Sequence, residues 1–343
     1  MAAVPVPPLP LLASHAAVRA LASRVVSTSA KRGRLGGDHP PQVAALRRGD
    51  WVKLICGASF EDAADVRNLS LVYTLAGADA SVVGAVNEGI DVATSIVPAV
   101  QRPWVMISVN DDCRDLHFRK AGAVSYIRDP TITIGLLKRN DVDAIEIHTT
   151  GKETGMFNTL WNNLSESINY VKLVAVSLPD IGVSTFDFMN SIYEIMEPDL
   201  QGYNLWQLDG RPMSGDIGRG ATRETISFAV HMASMSDRPP GFYQLAGGTN
   251  SYTIDSLKKA GLFQSMTFPG HLGMAASEMT GSQQALIGGI AYGGYARKII
   301  GRTLRKIPTQ FGCVPIEDHP DYLLEALQEA LSLVGPVKGY PTL

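Results

Sequence analysis

The sequence predicts a single α/β domain of the (β/α)8 TIM-barrel type. Eight apolar runs of strand length follow one another, and segments with helical spacing of apolar residues separate them. The pattern occupies roughly 250 residues, the usual size of such a barrel. With 343 residues and a hydrophobic content of 45 %, the chain can bury the core that this fold needs. A doubly wound open α/β sheet is the alternative, because it alternates strands and helices in the same way.

The predicted strands are recognised by their apolar and β-branched residues. In chain order they are 52–58 (VKLICGA), 79–83 (DASVV), 104–109 (WVMISV), 143–148 (DAIEIH), 172–178 (KLVAVSL), 205–209 (LWQLD), 242–247 (FYQLAG) and, more weakly, 285–291 (ALIGGIA). Segments such as 61–77 and 252–261 carry apolar residues at helical spacing, and the first ends on Gly77. The sixth and seventh strands resemble each other, which predicts that Gln207 and Gln244 lie at matching positions.

Composition separates the beginning of the chain from the barrel. Residues 1–42 are rich in Ala, Pro, Ser and Arg and contain no acidic residue before Asp38, as is typical of organelle transit peptides. We therefore predict a transit peptide, or alternatively a disordered tail, over residues 1–45. The predicted destination is the chloroplast, with the mitochondrion as the alternative. Residues 46–310 then form the barrel, and 311–343 a C-terminal helix and tail.

Charge, hydropathy and cysteine content exclude several classes of protein. The formal net charge is -3, so the chain lacks the basic footprint of a nucleic-acid-binding protein. No apolar run reaches the roughly 18 residues of a membrane span. The three cysteines, Cys56, Cys113 and Cys313, lie far apart, so no local spacing indicates a disulfide framework or a metal site. Asn110, Asp111 and Asp112 could bind a hard cation but are more typical of a solvated loop, and we predict no metal site.

Two glycine-bearing segments predict a site for a phosphate group. Each follows one of the last two barrel strands and precedes a helix, which is where barrels often bind phosphate. Glycines let backbone N–H groups approach an anion, and the helix N-terminus favours its charge. The alternative is that these are only tightly packed turns. The candidate cofactor-binding residues are Gly247, Gly248, Thr249, Asn250, Gly293, Gly294 and Arg297.

A charged loop after the sixth strand predicts an anion or substrate site. The segment DGRPMSGDIGRG carries Asp209, Arg211, Asp216 and Arg219 among four glycines. A guanidinium offers a fork of donors that suits a carboxylate or phosphate. The alternative is a surface network in which Asp216 pairs with one of the arginines.

Glu146 and His148 are candidate catalytic residues, because they lie two residues apart on one face of the fourth strand. In the mouth of a barrel they could act as general acid and base. Lys53, in the first strand, is either a catalytic amine or a buried ion-pair partner. The alternative for all three is a structural role.

Seven segments resemble the light-dependent period protein (LdpA) family of cyanobacteria and plastids. They are 51–79, 117–121 (HFRKA), 125–130 (SYIRDP), 143–149, 205–220, 243–250 and 290–298. The resemblance runs from about residue 49 to about residue 305, and residues 204–220 are its most specific part. It implies an iron-sulfur protein linked to redox input into the circadian clock.

The chain departs from that family at the cysteines. Between HFRKA and SYIRDP, family members carry a ferredoxin-like insert whose clustered cysteines hold two 4Fe-4S clusters. Here only residues 122–124 separate the two segments, so no residue corresponds to a cluster ligand. We therefore predict no iron-sulfur centre. A barrel joined to such a module is similar to the flavin-dependent dihydropyrimidine dehydrogenases, which makes FMN the candidate ligand of the two glycine segments.

Together these observations predict a plastid redox-associated regulatory protein of the LdpA type. It would bind a small anionic ligand in its barrel, or interact with a redox- or clock-related protein. The alternative is an FMN-dependent oxidoreductase with Glu146, His148 and Lys53 near the substrate. The sequence leaves open whether the protein is an enzyme.

Overall fold

Ten strands are present in the computed structural model, which describes residues 15–33, 39–56, 63–82, 86–111, 130–210, 221–267, 284–308 and 314–341. They are β1 (Trp51–Ile55), β2 (Ala80–Val82), β3 (Trp104–Asn110), β4 (Ala144–His148), β5 (Leu173–Pro179), β6 (Tyr203–Asp209), β7 (Phe242–Ala246), β8 (Met266–Thr267), β9 (Gln284–Ala285) and β10 (Gly289–Tyr292). The first seven and β10 form a closed parallel barrel, in which β10 lies between β7 and β1. The predicted (β/α)8 barrel is confirmed, and the alternative of an open sheet is wrong.

Helices surround this barrel within the described residues. They are α1 (Ala16–Gly33), α2 (Pro41–Arg48), α3 (Ala63–Leu75), α4 (Val86–Ile96), α5 (Pro130–Leu137), α6 (Thr154–Ile168), α7 (Thr185–Met196), α8 (Ala221–Ser234), α9 (Thr253–Lys259), α10 (Gly294–Leu304) and α11 (Pro320–Lys338). None of them is long and apolar enough to cross a membrane.

The eighth predicted strand, 285–291, is divided between two elements. Gln284 and Ala285 pair with β8 in an antiparallel two-stranded sheet. The parallel ladder with β1 begins only at Gly289, which lies opposite Trp51. The barrel strand β10 is therefore shorter than the predicted strand and begins further along the chain, because residues 284 and 285 pair with β8 outside the barrel.

Side chains alternate between the interior of the barrel and the surrounding helices, as strand geometry requires. In β4, Ile145 and Ile147 belong to the helix-facing core, whereas Ala144 belongs to the interior cluster. Aromatic side chains from the beginnings of several strands fill the amino end of the interior. The rings of Trp51 and Trp104 meet edge to face there, with centroids 6.0 Å apart. This end of the barrel is a packed core and not a ligand site.

Helix α2 covers the amino end of the barrel. Its buried Val43, Ala45 and Leu46 belong to the same cluster as the interior aromatic residues. A ligand must therefore enter from the opposite end, where the strands finish and where barrel enzymes have their active sites.

The described part of the N-terminal segment, residues 15–33 and 39–45, contacts the barrel. In α1, Val18, Ala22 and Val25 are buried in the helix-facing core. His15 Nε2 lies 2.8 Å from the carbonyl oxygen of Glu317. The described part of residues 1–45 therefore packs on the barrel, because α1 and α2 each present an apolar face. A transit peptide in this region stays a prediction.

Candidate functional site

A ring of polar side chains lines the barrel interior at its carboxyl end. They project inward from β1, β4, β5 and β6, one layer above the aromatic core. Each contacts the next, and the last contacts the first. The members of this polar ring are Lys53, Glu146, His148, Ser177, Asp209 and Gln207.

A buried ion pair forms one side of the polar ring. Lys53 Nζ lies 2.7 Å from Glu146 Oε1, and the side chains are 0 % and 1 % exposed. The same ammonium donates a hydrogen bond of 2.8 Å to Gln207 Oε1. Burial alone would raise the pKa of Glu146, but the charge of Lys53 and the His148 ring outweigh it and hold that pKa below its ordinary value. Glu146 is therefore a carboxylate at neutral pH.

A chain of three side chains forms the opposite side of the ring. Ser177 Oγ lies 2.9 Å from His148 Nδ1 and is hydrogen-bonded to Asp209 Oδ2, to which it donates when Asp209 is a carboxylate. Asp209 Oδ1 also accepts a hydrogen bond of 3.2 Å from Gln207 Nε2. His148 Nε2 lies 3.6 Å from Glu146 Oε2, which closes the ring.

Asp209 has an unusual protonation equilibrium for a carboxyl group. Its burial, reinforced by the negative charge of Glu146, raises its pKa to about 7, against the opposing effects of Ser177, Lys53 and Gln207. Asp209 therefore exchanges its proton near neutral pH, while Glu146 stays ionised. A pair of acids with separated pKa values is characteristic of acid–base sites.

Two glutamines connect the polar ring to the aromatic core. Gln244 Nε2 donates to Gln207 Oε1 at 2.8 Å, and Gln244 Oε1 accepts a hydrogen bond of 2.9 Å from Trp51 Nε1. Gln207 lies directly opposite Gln244 in the ladder between β6 and β7, which confirms their predicted matching positions. These bonds fix the orientation of Gln207 and hence of the Lys53 ammonium.

The structure brings together the three predicted catalytic residues, Lys53, Glu146 and His148. Their catalytic role stays a prediction. Ser177, and the participation of Asp209, were missed by the sequence analysis. Alternation along β5 places Ser177 on the inward face, but the neighbour across the barrel cannot be known before the strand register is known.

The predicted anion loop divides between described and undescribed residues. Asp209 was predicted both as the last residue of the sixth strand and as a member of the anion loop, and its role in binding an anion stays a prediction. It is the last residue of β6, is only 3 % exposed and belongs to the polar ring. The strand ladder carries it inward, opposite Pro179 on one side and Ala246 on the other. Arg211, Asp216 and Arg219 lie outside the described residues.

The first glycine segment is tied to its neighbours by side chains. Gly247 and Gly248 have φ angles of 65° and 132°, a backbone conformation that glycine adopts without strain. The Thr249 hydroxyl donates to the carbonyl oxygen of Ala291. Asn250 Nδ2 donates to Thr222 Oγ1 at 2.6 Å. Thr249 and Asn250 therefore hold the loop in place, and an anion here would be bound mainly by the backbone.

The second glycine segment lies at the beginning of α10. Gly293 precedes the helix and Gly294 is its first residue. One turn later, the Arg297 Nε atom is buried and has no hydrogen-bond partner among the described residues. A buried donor without a partner costs free energy unless a ligand or water satisfies it. This donor and the N-terminus of α10 fit the phosphate group of FMN, although nothing in the described residues shows a place for the flavin ring.

An open pocket lies outside the barrel, between α8 and α9. Its volume is about 710 Å³, and it is lined by Thr222, Arg223, Ile226, Ser227, Asn250, Tyr252 and Ser256. Its walls offer hydroxyl groups and one exposed guanidinium. The pocket therefore competes with the barrel mouth as a place for a small anion.

The residues do not fit an iron-sulfur cluster. A 4Fe-4S cluster takes four cysteine ligands, and the whole chain contains three cysteines. Cys56 is buried on the helix-facing side of the barrel. Within the described ranges, no group of three His, Cys, Asp or Glu residues is arranged to hold a metal ion.

Comparison with known proteins agrees with the resemblance seen in the sequence. Residues 136–336 match the family model described as the light dependent period A C-terminal domain. The chain is 31 % identical over 349 residues to "Light dependent period A" of Synechococcus elongatus, a match that covers 86 % of this chain and 93 % of that protein.

Two solved structures have a low similarity to this chain. A fructose-1,6-bisphosphate aldolase from Coccidioides immitis, described as putative, has a TM-score of 0.41 and 11 % identity, covering 87 % of this chain and 94 % of that chain. The carboxyl transferase domain of Rhizobium etli pyruvate carboxylase has a TM-score of 0.41 and 9 % identity, covering 84 % and 49 %. Similarity at this level carries no information about activity. The family matches do identify the chain, which belongs to the light dependent period A family.

Proposed function

We propose that this protein is a plastid redox-associated regulatory protein that binds a small anionic ligand at the carboxyl end of its barrel. Membership of the light dependent period A family supports the regulatory role, since the family is named for light-dependent period. A redox- or clock-related protein is the proposed partner that responds to the bound state.

The polar ring is the observation that carries the ligand site. It buries the Lys53–Glu146 ion pair at the ligand-binding end of the fold. Buried ion pairs are often no more stabilising than apolar side chains of the same size. A ring of this kind is therefore better explained by binding or chemistry than by stability of the fold.

The loop after β6 supplies the proposed contacts to the anion. Arg211 and Arg219 lie outside the described residues, and in the sequence they follow the ring residue Asp209, the last residue of β6, closely. Guanidinium groups bind carboxylates and phosphates through paired hydrogen bonds. We propose that these guanidinium groups bind the anion together with the polar ring.

An FMN-dependent oxidoreductase is the second candidate function, favoured by the buried Arg297 Nε donor beside the glycine segments. In that case the N-terminus of α10 and the backbone at Gly247 and Gly248 would hold the phosphate. The flavin, when bound, would supply hydride transfer. The polar ring would then orient the substrate and move its proton.

The first experiment purifies the full chain, records its visible absorption spectrum and weighs any molecule released by denaturation. The proposed function predicts a small anion and no iron-sulfur absorption. A flavin band with released FMN would favour the oxidoreductase instead. Stoichiometric iron and sulfide would contradict both, because the chain would then hold a cluster that its cysteines do not fit.

The second experiment measures the affinity of inorganic phosphate by titration calorimetry. We expect the Arg211→Gln/Arg219→Gln variant to bind phosphate at least tenfold more weakly than the wild type. Arg302→Gln is the matched control, since Arg302 lies in the last turn of α10, far along the helix from the barrel mouth. Equal affinities of the wild type and the double variant would contradict the proposed anion site.

A further inference from the structure

The charge of the described residues at the floor of the barrel mouth decides whether an anion can bind there. Lys53 is fully buried and paired with Glu146. Asp111, which follows β3, donates its backbone N–H to the carbonyl oxygen of His148. His148 is the ring member that reaches the mouth, with a side chain 15 % exposed. The floor attracts an anion only if His148 carries a positive charge.

Ser177 connects His148 to a buried source of that charge. Its hydroxyl oxygen lies 2.9 Å from His148 Nδ1 and is hydrogen-bonded to Asp209 Oδ2. A hydroxyl group can donate one proton while it accepts another. The three groups therefore form an unbroken path for a proton between the buried carboxyl group and the imidazole.

We propose that His148, Ser177 and Asp209 form a proton relay that charges His148 when a small oxyanion enters the barrel mouth. The inference rests on the anion site proposed above and adds the mechanism by which its floor becomes attractive.

The transfer conserves protons. Before binding, Asp209 is protonated, Ser177 donates to His148 Nδ1, and the neutral ring keeps its proton on Nε2. On binding, the Asp209 O–H bond breaks and its proton moves to Ser177 Oγ. At the same time the Ser177 hydroxyl proton moves to His148 Nδ1. The products are an Asp209 carboxylate and a His148 imidazolium, and no proton is taken from solvent.

The surroundings of the relay favour both states. Glu146, on β4, faces His148 Nε2 at 3.6 Å and stabilises the imidazolium. Lys53, on β1, is close enough to Asp209 to oppose the rise in its pKa, and so favours the carboxylate. Gln207, on β6, donates to Asp209 and also supports the ionised form. Burial and the charge of Glu146 favour the protonated form of Asp209. The two states are therefore close in free energy, and an oxyanion beside His148 selects the charged one.

The experiment follows the ring nitrogens of His148 by NMR while inorganic phosphate is added to the full chain at pH 6.5. Titration calorimetry in buffers of different ionisation enthalpy measures proton uptake in parallel. The relay predicts that phosphate converts His148 to imidazolium with net uptake near zero. Uptake of about one proton per phosphate with a charged His148 would overturn the relay, while leaving the anion site intact.

Variants separate the relay from the fold. Ser177→Ala removes the path, and Asp209→Asn removes the proton with little change of shape. In both variants a proton on His148 must come from solvent, so we expect uptake of about one proton per phosphate, and affinity lowered at least tenfold. Ser177→Thr keeps a hydroxyl group and should restore a net proton uptake near zero. A wild-type response in Ser177→Ala would refute the relay.

A ligand-free measurement keeps the inference testable if phosphate does not bind. Raising the pH from 5.5 to 8.5 ionises Asp209, so Ser177 turns its proton towards the carboxylate. The neutral His148 ring then carries its proton on Nδ1 and no longer on Nε2. A tautomer that stays the same across this range in the wild type would refute the relay. Absence of phosphate binding with a tautomer change would instead contradict the proposed anion site.

Discussion

Replacing Lys53 with methionine tests the energetics of the polar ring. The substitution removes the ammonium 2.7 Å from Glu146 Oε1 and leaves a carboxylate that is 1 % exposed. At that separation the attraction amounts to about 6 kcal/mol with an effective dielectric constant of about 20. Part of the loss is recovered when Glu146 takes up a proton. We therefore expect the free energy of unfolding to fall by about 3–5 kcal/mol.

Urea denaturation measures that loss from the midpoint and slope of the transition. The control is Arg102→Met, because Arg102 lies 2.6 Å from Asp91 in an exposed pair, with side chains 45 % and 55 % exposed. This variant should lose at most about 1 kcal/mol. The double variant Lys53→Met/Glu146→Leu should recover most of the loss, since it leaves no unpaired carboxylate at position 146.

The loss should also depend on pH. Without Lys53, burial raises the pKa of folded Glu146 above the unfolded value of about 4.3. A raised carboxyl pKa gives stability that is fully present below the unfolded pKa and is lost as pH rises through the folded pKa. Lys53→Met should therefore be more destabilising at pH 8 than at pH 5. A loss below about 1 kcal/mol at both pH values would refute the claim that the pair is buried and coupled.

Two further predictions concern packing and protonation. Gly289→Ala should destabilise the protein by roughly 1–3 kcal/mol or more in a thermal unfolding assay, because an added Cβ would lie 2.3 Å from the carbonyl oxygen of Trp51. Gly293→Ala is the control. Its Cβ would lie 3.6 Å from Ile55 Cβ, so this variant should be nearly neutral in the same assay. Because the pKa of folded Asp209 is about 7, the free energy of unfolding of the wild type should fall by on the order of 4 kcal/mol between about pH 4 and pH 7. Asp209→Asn should abolish this fall. An unchanged pH profile of the variant in denaturant titrations would contradict the prediction.

The barrel was predictable because its signals are local. Each strand carries its own apolar run, and the alternation of Ile145 and Ile147 with Glu146 already separates the helix-facing side from the interior. The start of the eighth strand was predicted too early in the chain. The first residue of the predicted run pairs with β8, and this pairing cannot be read from the local sequence. The packing of α1 was missed because composition says nothing about which surface a helix covers.

The polar ring was only partly predictable. Glu146 and His148 stand out as ionisable groups on an apolar strand, and Lys53 does so in β1. Ser177 has no such contrast with its surroundings, and its role depends on the register that places it opposite His148 and next to Asp209. Asp209 ends the predicted sixth strand, 205–209, but it was grouped with the charged loop because glycines and arginines follow it directly.

A crystal structure of the full chain grown with saturating inorganic phosphate tests the central claim most directly, namely that the carboxyl end of the barrel is the ligand site. The account predicts phosphate density in the barrel mouth against the His148 ring, above the Lys53–Glu146 pair. Phosphate bound only in the pocket between α8 and α9, beside Arg223, would contradict it. A mouth that stays empty at saturating phosphate would contradict it equally.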